Sequence, residues 1–332
     1  MNMSEPSRFL AFELRGELRQ TESMQRHTSW RAGGVAARMY KPADLSDLQR
    51  FLSGVNSDEA LFAVGLGSNL LVRDGGFCGT VLMLHGALTE LKLQDNGLIY
   101  VQAGVPGAKL ARFAARHDRQ GAEFFAGIPG TMGGMLAMNA GCYGSETWQH
   151  VVKVQVLTRS GELLERTPEE YEIGYRSVAL AGKREEGRGK GKAGSVPSPF
   201  SLLPSHGPLP DAEFFVGVWL SFEHGDGKVA MENIKALLAR RIASQPLNLP
   251  NAGSVFRNPP GDHAARLIEQ CGLKGMRIGG AQVSEKHANF IVNTGGATAA
   301  DIESLIDEVR GTVAKQTGVQ LHPEVKIVGE AA

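Results

Sequence analysis

Residues 121–144 read GAEFFAGIPGTMGGMLAMNAGCYG and contain seven glycines in 24 positions. Large apolar side chains alternate with these glycines, among them Phe124, Phe125, Ile128 and Met135, and a solvent-exposed loop would not carry so many. Because glycine has no Cβ, its main chain can approach a flat surface closely. The stretch predicts a main-chain surface for an extended cofactor with a ring and a diphosphate. The alternative is an internal helix and turn packed through glycine.

A second glycine-rich stretch, GLGSNL at residues 65–70, follows a predicted buried strand at 61–64. Leu70 stands where the dinucleotide fingerprint G-x-G-x-x-G requires its third glycine, and the stretch lacks the Gly-Lys-Ser/Thr of a P-loop. What remains is a strand that leads into main-chain amides and a hydroxyl, which can form a nest for phosphate oxygens. A tight turn without a ligand explains the same residues.

The composition of the 332-residue chain is that of a globular protein, with 42% apolar and 21% charged residues. The length predicts two domains, or three small ones. Because 35 basic residues balance 35 acidic ones, no overall field favours binding to nucleic acid or to anionic lipid. The chain has no run near the ~18 apolar residues of a membrane span and begins without the apolar core of a signal peptide. We expect a cytoplasmic protein.

The three cysteines, Cys78, Cys142 and Cys271, are widely spaced and form no C-x-x-C pair. A disulfide framework and a cysteine-rich zinc site are therefore not expected. The nine histidines include no H-E-x-x-H, so we expect no catalytic metal.

The pattern of apolar residues predicts an α+β protein rather than a regular βαβ series. Apolar residues up to Leu18 suggest an amphipathic helical entry segment. Helices are predicted at 44–52, 108–117, 229–245 and 301–316, and another capped by Asp262 that ends at Gly272. The predicted strands are 61–64, 80–84, 98–101, 151–158, 214–222, 288–292 and the closing PEVKIVG.

Residues 182–212 differ in composition from the rest of the chain. Gly, Pro and Ser account for six, five and four of these 31 residues. So few apolar groups cannot offset the entropy of ordering the segment. We predict a flexible surface insertion; a nucleic-acid-binding tail is the alternative.

Seven ordered motifs resemble those of bacterial UDP-N-acetylenolpyruvoylglucosamine reductases: HTSWRAGG, GLGSNLLV, AGIPGTMGGMLAMNAGCYG, GYRS, NAGSVFRNP, GGAQVSEKHANFIVN and HPEVKIVG. The resemblance covers residues 20–329 apart from 182–212. It implies a two-lobed FAD-binding domain of the vanillyl-alcohol-oxidase (PCMH) type and a C-terminal α+β substrate-binding domain. We divide the chain into a first lobe at 1–60, a second lobe at 61–223 and a substrate domain at 224–332.

The resemblance also implies an activity. Non-covalent FAD would take hydride from NADPH and pass it to the enolpyruvyl ether of UDP-N-acetylglucosamine, giving UDP-N-acetylmuramate for peptidoglycan. The expected partners are these small molecules, and we expect a monomer. All five tyrosines lie at or before Tyr175, so the chain resembles the shorter form of the family, which lacks a later loop tyrosine over the substrate.

Three residues match the family's catalytic positions: Arg176 in GYRS, Ser254 in NAGS and Glu324 in HPEV. Hydride addition to the β-carbon of an enolpyruvyl carboxylate places negative charge on the α-carbon and the carboxylate, which requires a fixed cation and an acid. The resemblance implies that Arg176 is the cation and Ser254 the proton donor. Glu324 would stabilise the intermediate by hydrogen bonding or help to place the proton.

The remaining site residues are expected contacts. From the residues alone, Ser254 could close a turn, Arg176 could be a surface ion-pair partner and Glu324 a solvated strand end. Expected substrate contacts are Tyr143, Arg257 and Asn258, whereas His287 could contact ligand or pack in the core. The expected FAD contacts are Gly65, Gly67, Ser68, Asn69, Gly127, Ile128, Pro129, Gly130, Gly133, Asn139, Ala140 and Gly141.

Two rival interpretations remain open at this point. One is another oxidase of the same flavin fold, re-oxidised by oxygen. The other is a nucleotide-sugar-binding module that has lost its cofactor.

Overall fold

The computed structural model describes residues 14–181 and 213–332. The predicted insertion at 182–212 and most of the predicted entry segment lie outside these residues.

Within the described residues the chain forms six α-helices: α1 (Leu45–Gly54), α2 (Gly107–Arg116), α3 (Met132–Ala137), α4 (Gly227–Ser244), α5 (Ala264–Gln270) and α6 (Ala299–Thr317). The strands of the described part are β1 (Glu17–Ser23), β2 (Val35–Lys41), β3 (Leu61–Val64), β4 (Leu70–Val72), β5 (Phe77–Met83), β6 (Leu91–Leu93), β7 (Ile99–Gln102), β8 (Arg119–Gln120), β9 (Gly141–Cys142), β10 (Ser145–Glu146), β11 (Val151–Leu157), β12 (Leu163–Arg166), β13 (Tyr171–Gly174), β14 (Ser177–Leu180), β15 (Phe214–Leu220), β16 (Glu223–His224), β17 (Arg277–Ile278), β18 (Ala281–Val283), β19 (Ile291–Asn293) and β20 (Lys326–Val328).

The first sheet has the strand order β1-β2-β5-β3. β1 is antiparallel to β2, whereas β2 and β3 both run parallel to β5. Leu18 lies in β1, so the helical reading of its segment is wrong there; tertiary pairing with β2 overrides the loose apolar spacing. The boundary predicted at residue 60 falls inside this sheet, between α1 and β3.

The predicted helix after Asp44 forms as α1, because the Asp44 side chain accepts a hydrogen bond from the main-chain N–H of Asp47. Its apolar side is buried in one cluster with residues of the first sheet. Within that cluster the Tyr40 and Phe51 rings stack with centroids 3.9 Å apart.

The second sheet has the order β12-β11-β15-β7-β6, with every pair antiparallel. Its Val154 and Val218 are buried in one cluster with Leu110 of α2, Met135 of α3 and Ile234 of α4. Most of the large apolar residues of the 121–144 stretch belong to this core or pack against it, which explains why they alternate with glycine. Both interpretations of the stretch therefore hold in part, since it contains the short helix α3 and also, as described below, faces a cavity.

The C-terminal part packs α5 and α6 with the sheet β17-β18-β19. Trp30, from the N-terminal part of the chain, is fully buried in the same cluster and donates its indole N–H to the carbonyl of Ile291 at 2.8 Å. β20 returns to the N-terminal part and pairs in parallel with β4. Residues far apart in sequence are thereby joined at the point where the candidate site lies.

Apart from the entry segment, the predicted helices and strands have the right type, and their ends shift by a few residues. One predicted cap is wrong. Asp262 does not cap α5: the N–H of Ala264 donates instead to the side-chain oxygen of Asn258 at 3.1 Å, while Asp262 pairs with Arg266.

Candidate active site

A cavity of ≈ 320 Å³ lies between the first sheet, residues 127–142 and the C-terminal part. Two glycine-rich loops form much of its wall, one at residues 65–69 and one at 127–131. We call them the cofactor loops. The first is joined to the C-terminal part by the hydrogen bond from Lys326 N to the carbonyl of Asn69 at 2.9 Å. Arg176, Ser254 and Glu324 all line the same cavity.

The glycines of the first loop allow very close main-chain packing. A Cβ on Gly65 would stand 2.1 Å from the hydroxyl of Thr131, and one on Gly67 would stand 1.9 Å from the carbonyl oxygen of His27. Gly67 also has φ +60°, a conformation that glycine adopts without strain. The Ser68 hydroxyl hydrogen-bonds to the carbonyl of Pro129 in the second loop. These two glycines therefore shape the loop for packing, and the free side of the loop faces the cavity.

Main-chain donors are available along the first loop. Within the part of the chain that the structure describes, the N–H groups of Leu66, Gly67 and Ser68 have no hydrogen-bond acceptor. Successive free N–H groups in a turn form a concave site for anionic oxygens. The loop thus has the donor set that a diphosphate needs.

Arg176 stands at the tip of a two-stranded hairpin formed by β13 and β14. Gly174 pairs with Ser177, so Tyr175 and Arg176 form the turn, and Arg176 has φ +54°. An arginine in this left-handed region is strained and is held only by specific contacts. Its Nη2 donates to the carbonyl of Gly141 at 3.0 Å, and its Nε lies 2.7 Å from Oε1 of Glu324.

Ser254 follows a tight turn. The side-chain oxygen of Asn251 accepts from the N–H of Gly253 at 3.0 Å, and Gly253 has φ +74°. The structural reading of this turn is therefore correct for Asn251 and Gly253. Ser254 itself lines the cavity, and its hydroxyl has no hydrogen-bond partner within residues 14–181 and 213–332. The turn presents a free hydroxyl to the cavity.

Glu324 is delivered by the segment that leads into β20. Its N–H donates to the carbonyl of Val255 at 2.7 Å, and its own carbonyl accepts from the Asn69 amide at 3.1 Å. Burial raises the pKa of its carboxyl, while the charges of Arg176 and Arg257 oppose that rise. The carboxyl therefore holds its proton to higher pH than an ordinary glutamate does.

Comparison with known proteins gives consistent matches over the whole chain. The family profile described as "FAD binding domain" matches residues 36–167, and the one described as "UDP-N-acetylenolpyruvoylglucosamine reductase, C-terminal domain" matches residues 245–328. The curated UDP-N-acetylenolpyruvoylglucosamine reductases of Thiobacillus denitrificans and Nitrosospira multiformis are each 56% identical to this chain, covering 96% and 100% of it and 94% of their own length. This chain belongs to the UDP-N-acetylenolpyruvoylglucosamine reductase family.

A solved structure supports the same assignment. The crystal structure of UDP-N-acetylenolpyruvylglucosamine reductase from Thermus caldophilus matches with a TM-score of 0.72 at 28% identity, covering 94% of this chain and 98% of that one. The predicted α+β fold, with an FAD-binding domain of the vanillyl-alcohol-oxidase type and a separate C-terminal domain, is confirmed. The chain is accordingly an FAD-dependent oxidoreductase of the reductase family.

The positions of the expected FAD contacts can be compared with the lining of the cavity. Ten of the twelve expected FAD contacts line the cavity; Gly133 and Asn139 do not. Gly133 faces the core instead, since a Cβ there would stand 3.0 Å from the Cβ of Ala103. Asn139 is 2% exposed and hydrogen-bonds behind the cavity wall.

The three expected substrate contacts do not line the cavity. Tyr143 is 46% exposed and donates its hydroxyl to the carbonyl of Leu237, and Asn258 caps α5 as described. Arg257 donates to the main-chain carbonyl of Arg176 at 3.1 Å, so it supports the hairpin turn. The His287 ring packs against Phe290 and accepts from the N–H of Asn289.

The sequence interpretation missed several residues that line the cavity, notably Arg241 and Gln245 at the end of α4. The Arg241 Nε donates to Oε1 of Gln245 at 2.9 Å, and burial lowers the pKa of the guanidinium. Their four-residue spacing places them on one helix face, and that polar pair before Pro246 is the signal that could have identified them.

Two further structural findings bear on the site. Within the described residues no cluster of three or more His, Cys, Asp and Glu side chains is arranged to hold a metal ion. Nor does the described part of the chain contain a helix with the length and apolar character to cross a bilayer.

Proposed function

We propose that the protein reduces the enolpyruvyl ether of UDP-N-acetylglucosamine to UDP-N-acetylmuramate for peptidoglycan synthesis, with NADPH as the hydride donor. The observation that carries this proposal is the meeting of Arg176, Ser254 and Glu324 at one cavity beside the cofactor loops. These residues come from three segments separated by about 70 residues or more. The named relatives support the substrate class.

The cofactor loops would hold FAD through the free N–H groups of Leu66, Gly67 and Ser68, which suit its diphosphate. When bound, FAD supplies the chemistry of accepting hydride from NADPH and passing it on. We propose that residues 224–332 contribute the substrate side of the cavity. We propose a monomer as the functional unit; Arg176, Ser254 and Glu324 of a single chain line the same cavity.

Arg176 is proposed to bind the carboxylate of the enolpyruvyl group. Its planar fork pairs with two carboxylate oxygens, and its charge opposes the negative charge that develops when hydride reaches the β-carbon. The Nε of Arg176 lies 2.7 Å from Oε1 of Glu324, and this contact orients the guanidinium before substrate binds.

Ser254 is proposed to donate a proton to the α-carbon. Its hydroxyl has no competing protein partner in the described part of the chain, so it is available to the substrate. The net change is hydride at the β-carbon, a proton at the α-carbon and loss of the C=C bond. Glu324 would stabilise the developing negative charge by hydrogen bonding or help to place the proton; burial raises the pKa of its carboxyl, while the charges of Arg176 and Arg257 oppose that rise.

Two half-reactions followed separately test this function. Purified flavin-loaded protein is mixed anaerobically with NADPH, and the reduced protein is then mixed with the enolpyruvyl substrate while flavin absorbance is recorded. We expect bleaching by NADPH and recovery of absorbance with one equivalent of substrate. Recovery with oxygen alone, and none with the enolpyruvyl compound, would establish an oxidase. Purification without flavin, and failure to take it up, would favour a binding module.

A further inference from the structure

Asn139 lies behind the cavity wall and connects two parts of the site. It is buried and has φ +39°, a left-handed conformation that asparagine tolerates better than most residues. Its Oδ1 accepts from the N–H of Trp148 at 3.1 Å, and its Nδ2 donates to Glu146 Oε2 at 2.8 Å. The same Nδ2 donates to the carbonyl of Gly174 at 3.2 Å.

Gly174 is the last residue of β13, two positions before Arg176. The hairpin of β13 and β14 is a two-stranded sheet of its own, and such a pair is only marginally stable without further contacts. Its tip also carries the strained φ of Arg176. The position of the guanidinium therefore depends on the bonds that fix the tip.

Two of those bonds come from one short segment, residues 139–141. Asn139 holds the carbonyl of Gly174, and the carbonyl of Gly141 holds the Arg176 guanidinium at 3.0 Å. Gly141 also lines the cavity. The segment therefore joins the cofactor side of the cavity to the arginine that faces it.

We propose that Asn139 is a positioning residue for the second half-reaction, acting through Arg176 rather than by contact with the cofactor. This inference rests on the proposed function, because it assigns Arg176 to the substrate carboxylate. Loss of the bond to Gly174 would displace the guanidinium, and a displacement near 1 Å can slow a reaction ~10²-fold.

The first test is Asn139→Asp. Aspartate keeps the shape, the acceptor for Trp148 and a tolerance for positive φ, but it has no donor for Gly174. We expect flavin content and NADPH-driven bleaching within about threefold of wild type. We expect substrate-driven recovery of absorbance to slow roughly 10- to 100-fold, with weaker perturbation of the oxidised flavin spectrum by substrate.

A matched pair separates the Gly174 bond from the Glu146 bond. In Asn139→Asp with Glu146→Gln, the glutamine can donate to the aspartate, so that contact is restored with its direction reversed and the total charge is unchanged. Gly174 still lacks its donor. The double variant should remain slow in the second half-reaction; recovery to the wild-type rate would mean that Asn139 acts only through Glu146 and would overturn the proposal.

A double-mutant cycle tests whether the effect passes through the arginine. Combined with Arg176→Ala, Asn139→Asp should slow the second half-reaction by less than about threefold further, because residues that act through one another are not additive. Independent multiplication of the two effects contradicts the proposal. So does an equal loss of flavin content, which would mean that Asn139 acts on cofactor binding.

Amide hydrogen exchange tests the role of Asn139 without turnover, so its result does not depend on the proposed function. Amide hydrogen exchange in residues 171–180 should be faster in Asn139→Asp, with residues 99–116 unchanged. Unchanged exchange in the hairpin refutes the positioning role even if the enzyme turns over as proposed. If the wild-type protein is not re-oxidised by the enolpyruvyl substrate, the proposed function fails, while faster exchange would still support the structural link.

Discussion

The cofactor loops and the three side chains Arg176, Ser254 and Glu324 face one cavity but are built differently. The loops present main-chain N–H groups and pack closely because their glycines carry no Cβ atoms. The other wall depends on three functional groups: Arg176 and Glu324 contact each other although they are distant in sequence, whereas a local turn presents the hydroxyl of Ser254. The first kind of surface is damaged by adding atoms and the second by removing them.

The largest expected effect comes from a change in one of the three side chains Arg176, Ser254 and Glu324, with the cofactor loops left intact. Ser254→Ala removes a positioned acid, which typically costs 10²–10⁴-fold, or roughly 3–5 kcal/mol of barrier. The second half-reaction should slow by that factor, whereas bleaching by NADPH should stay near the wild-type rate, since it needs no proton from Ser254. Single-turnover stopped-flow on each half-reaction measures both.

Substrate affinity is the control for Ser254→Ala. One hydroxyl contributes only ~1 kcal/mol, so the affinity for the UDP-sugar should change little. Equal slowing of both half-reactions would mean that Ser254 positions the flavin instead.

The next expected effect differs between two neighbouring glycines, Gly130 and Gly133. Gly130 lines the cavity, and a Cβ there would stand 3.5 Å from the Ser68 hydroxyl, an ordinary contact. Gly133 faces Ala103 at 3.0 Å. Gly130→Val should lower flavin content with little loss of stability, whereas Gly133→Val should lower the free energy of unfolding by ~1–3 kcal/mol through overpacking.

Flavin absorbance per protein and urea unfolding measure the two properties on the same samples. Full flavin content in Gly130→Val would remove the loop from the cofactor site. Wild-type stability in Gly133→Val would show that α3 is not packed on Ala103 as described.

The smallest effect concerns His150, a buried histidine that packs against Phe124. The His150 ring lies between Phe124 and Phe222, with Nε2 2.9 Å from the Ser145 hydroxyl. Burial lowers the pKa of His150, and also that of His287. The unfolded chain therefore takes up protons first as pH falls, so stability is complete above the ordinary histidine pKa of ~6.5 and declines below it.

Each of these histidines can contribute at most ~1.36 kcal/mol per pH unit. His150→Gln keeps a nitrogen near Ser145 and should flatten the decline in unfolding free energy between about pH 7.5 and 5.5, measured by urea titration. An unchanged pH dependence in this variant would assign the slope to other groups.

The sequence was informative about the cofactor loops because glycine density is a local signal. GLGSN and GIPGT each reveal main-chain surfaces within a few residues, and ten of the twelve expected contacts line the cavity. It could not distinguish Gly130 from Gly133, since only the packing of α3 against Ala103 decides which glycine faces inward.

The spacing of residues alone did not predict that Arg176, Ser254 and Glu324 form one site. Ser254 reads as the end of an Asn-Gly turn, and it is one; its role depends on what lies opposite. Only the family resemblance united it with Arg176 and Glu324. Local sequence was also misleading for Asn258, whose amide oxygen caps α5. The signal for Arg241 is weak, because α4 looks like an ordinary amphipathic helix and only the polar pair with Gln245 at its end marks the residue.

The burial of Trp30 has a consequence for how the protein is made. Its hydrogen bond to Ile291 spans 261 residues, and Glu324 enters the cavity still later in the chain. At ~5–20 residues per second of translation, Trp30 waits roughly 13–50 s for that partner. Between the synthesis of residue 131 and that of residue 254, the nascent chain carries both cofactor loops but neither Ser254 nor Glu324. The three proposed catalytic side chains can therefore meet only as synthesis nears residue 324.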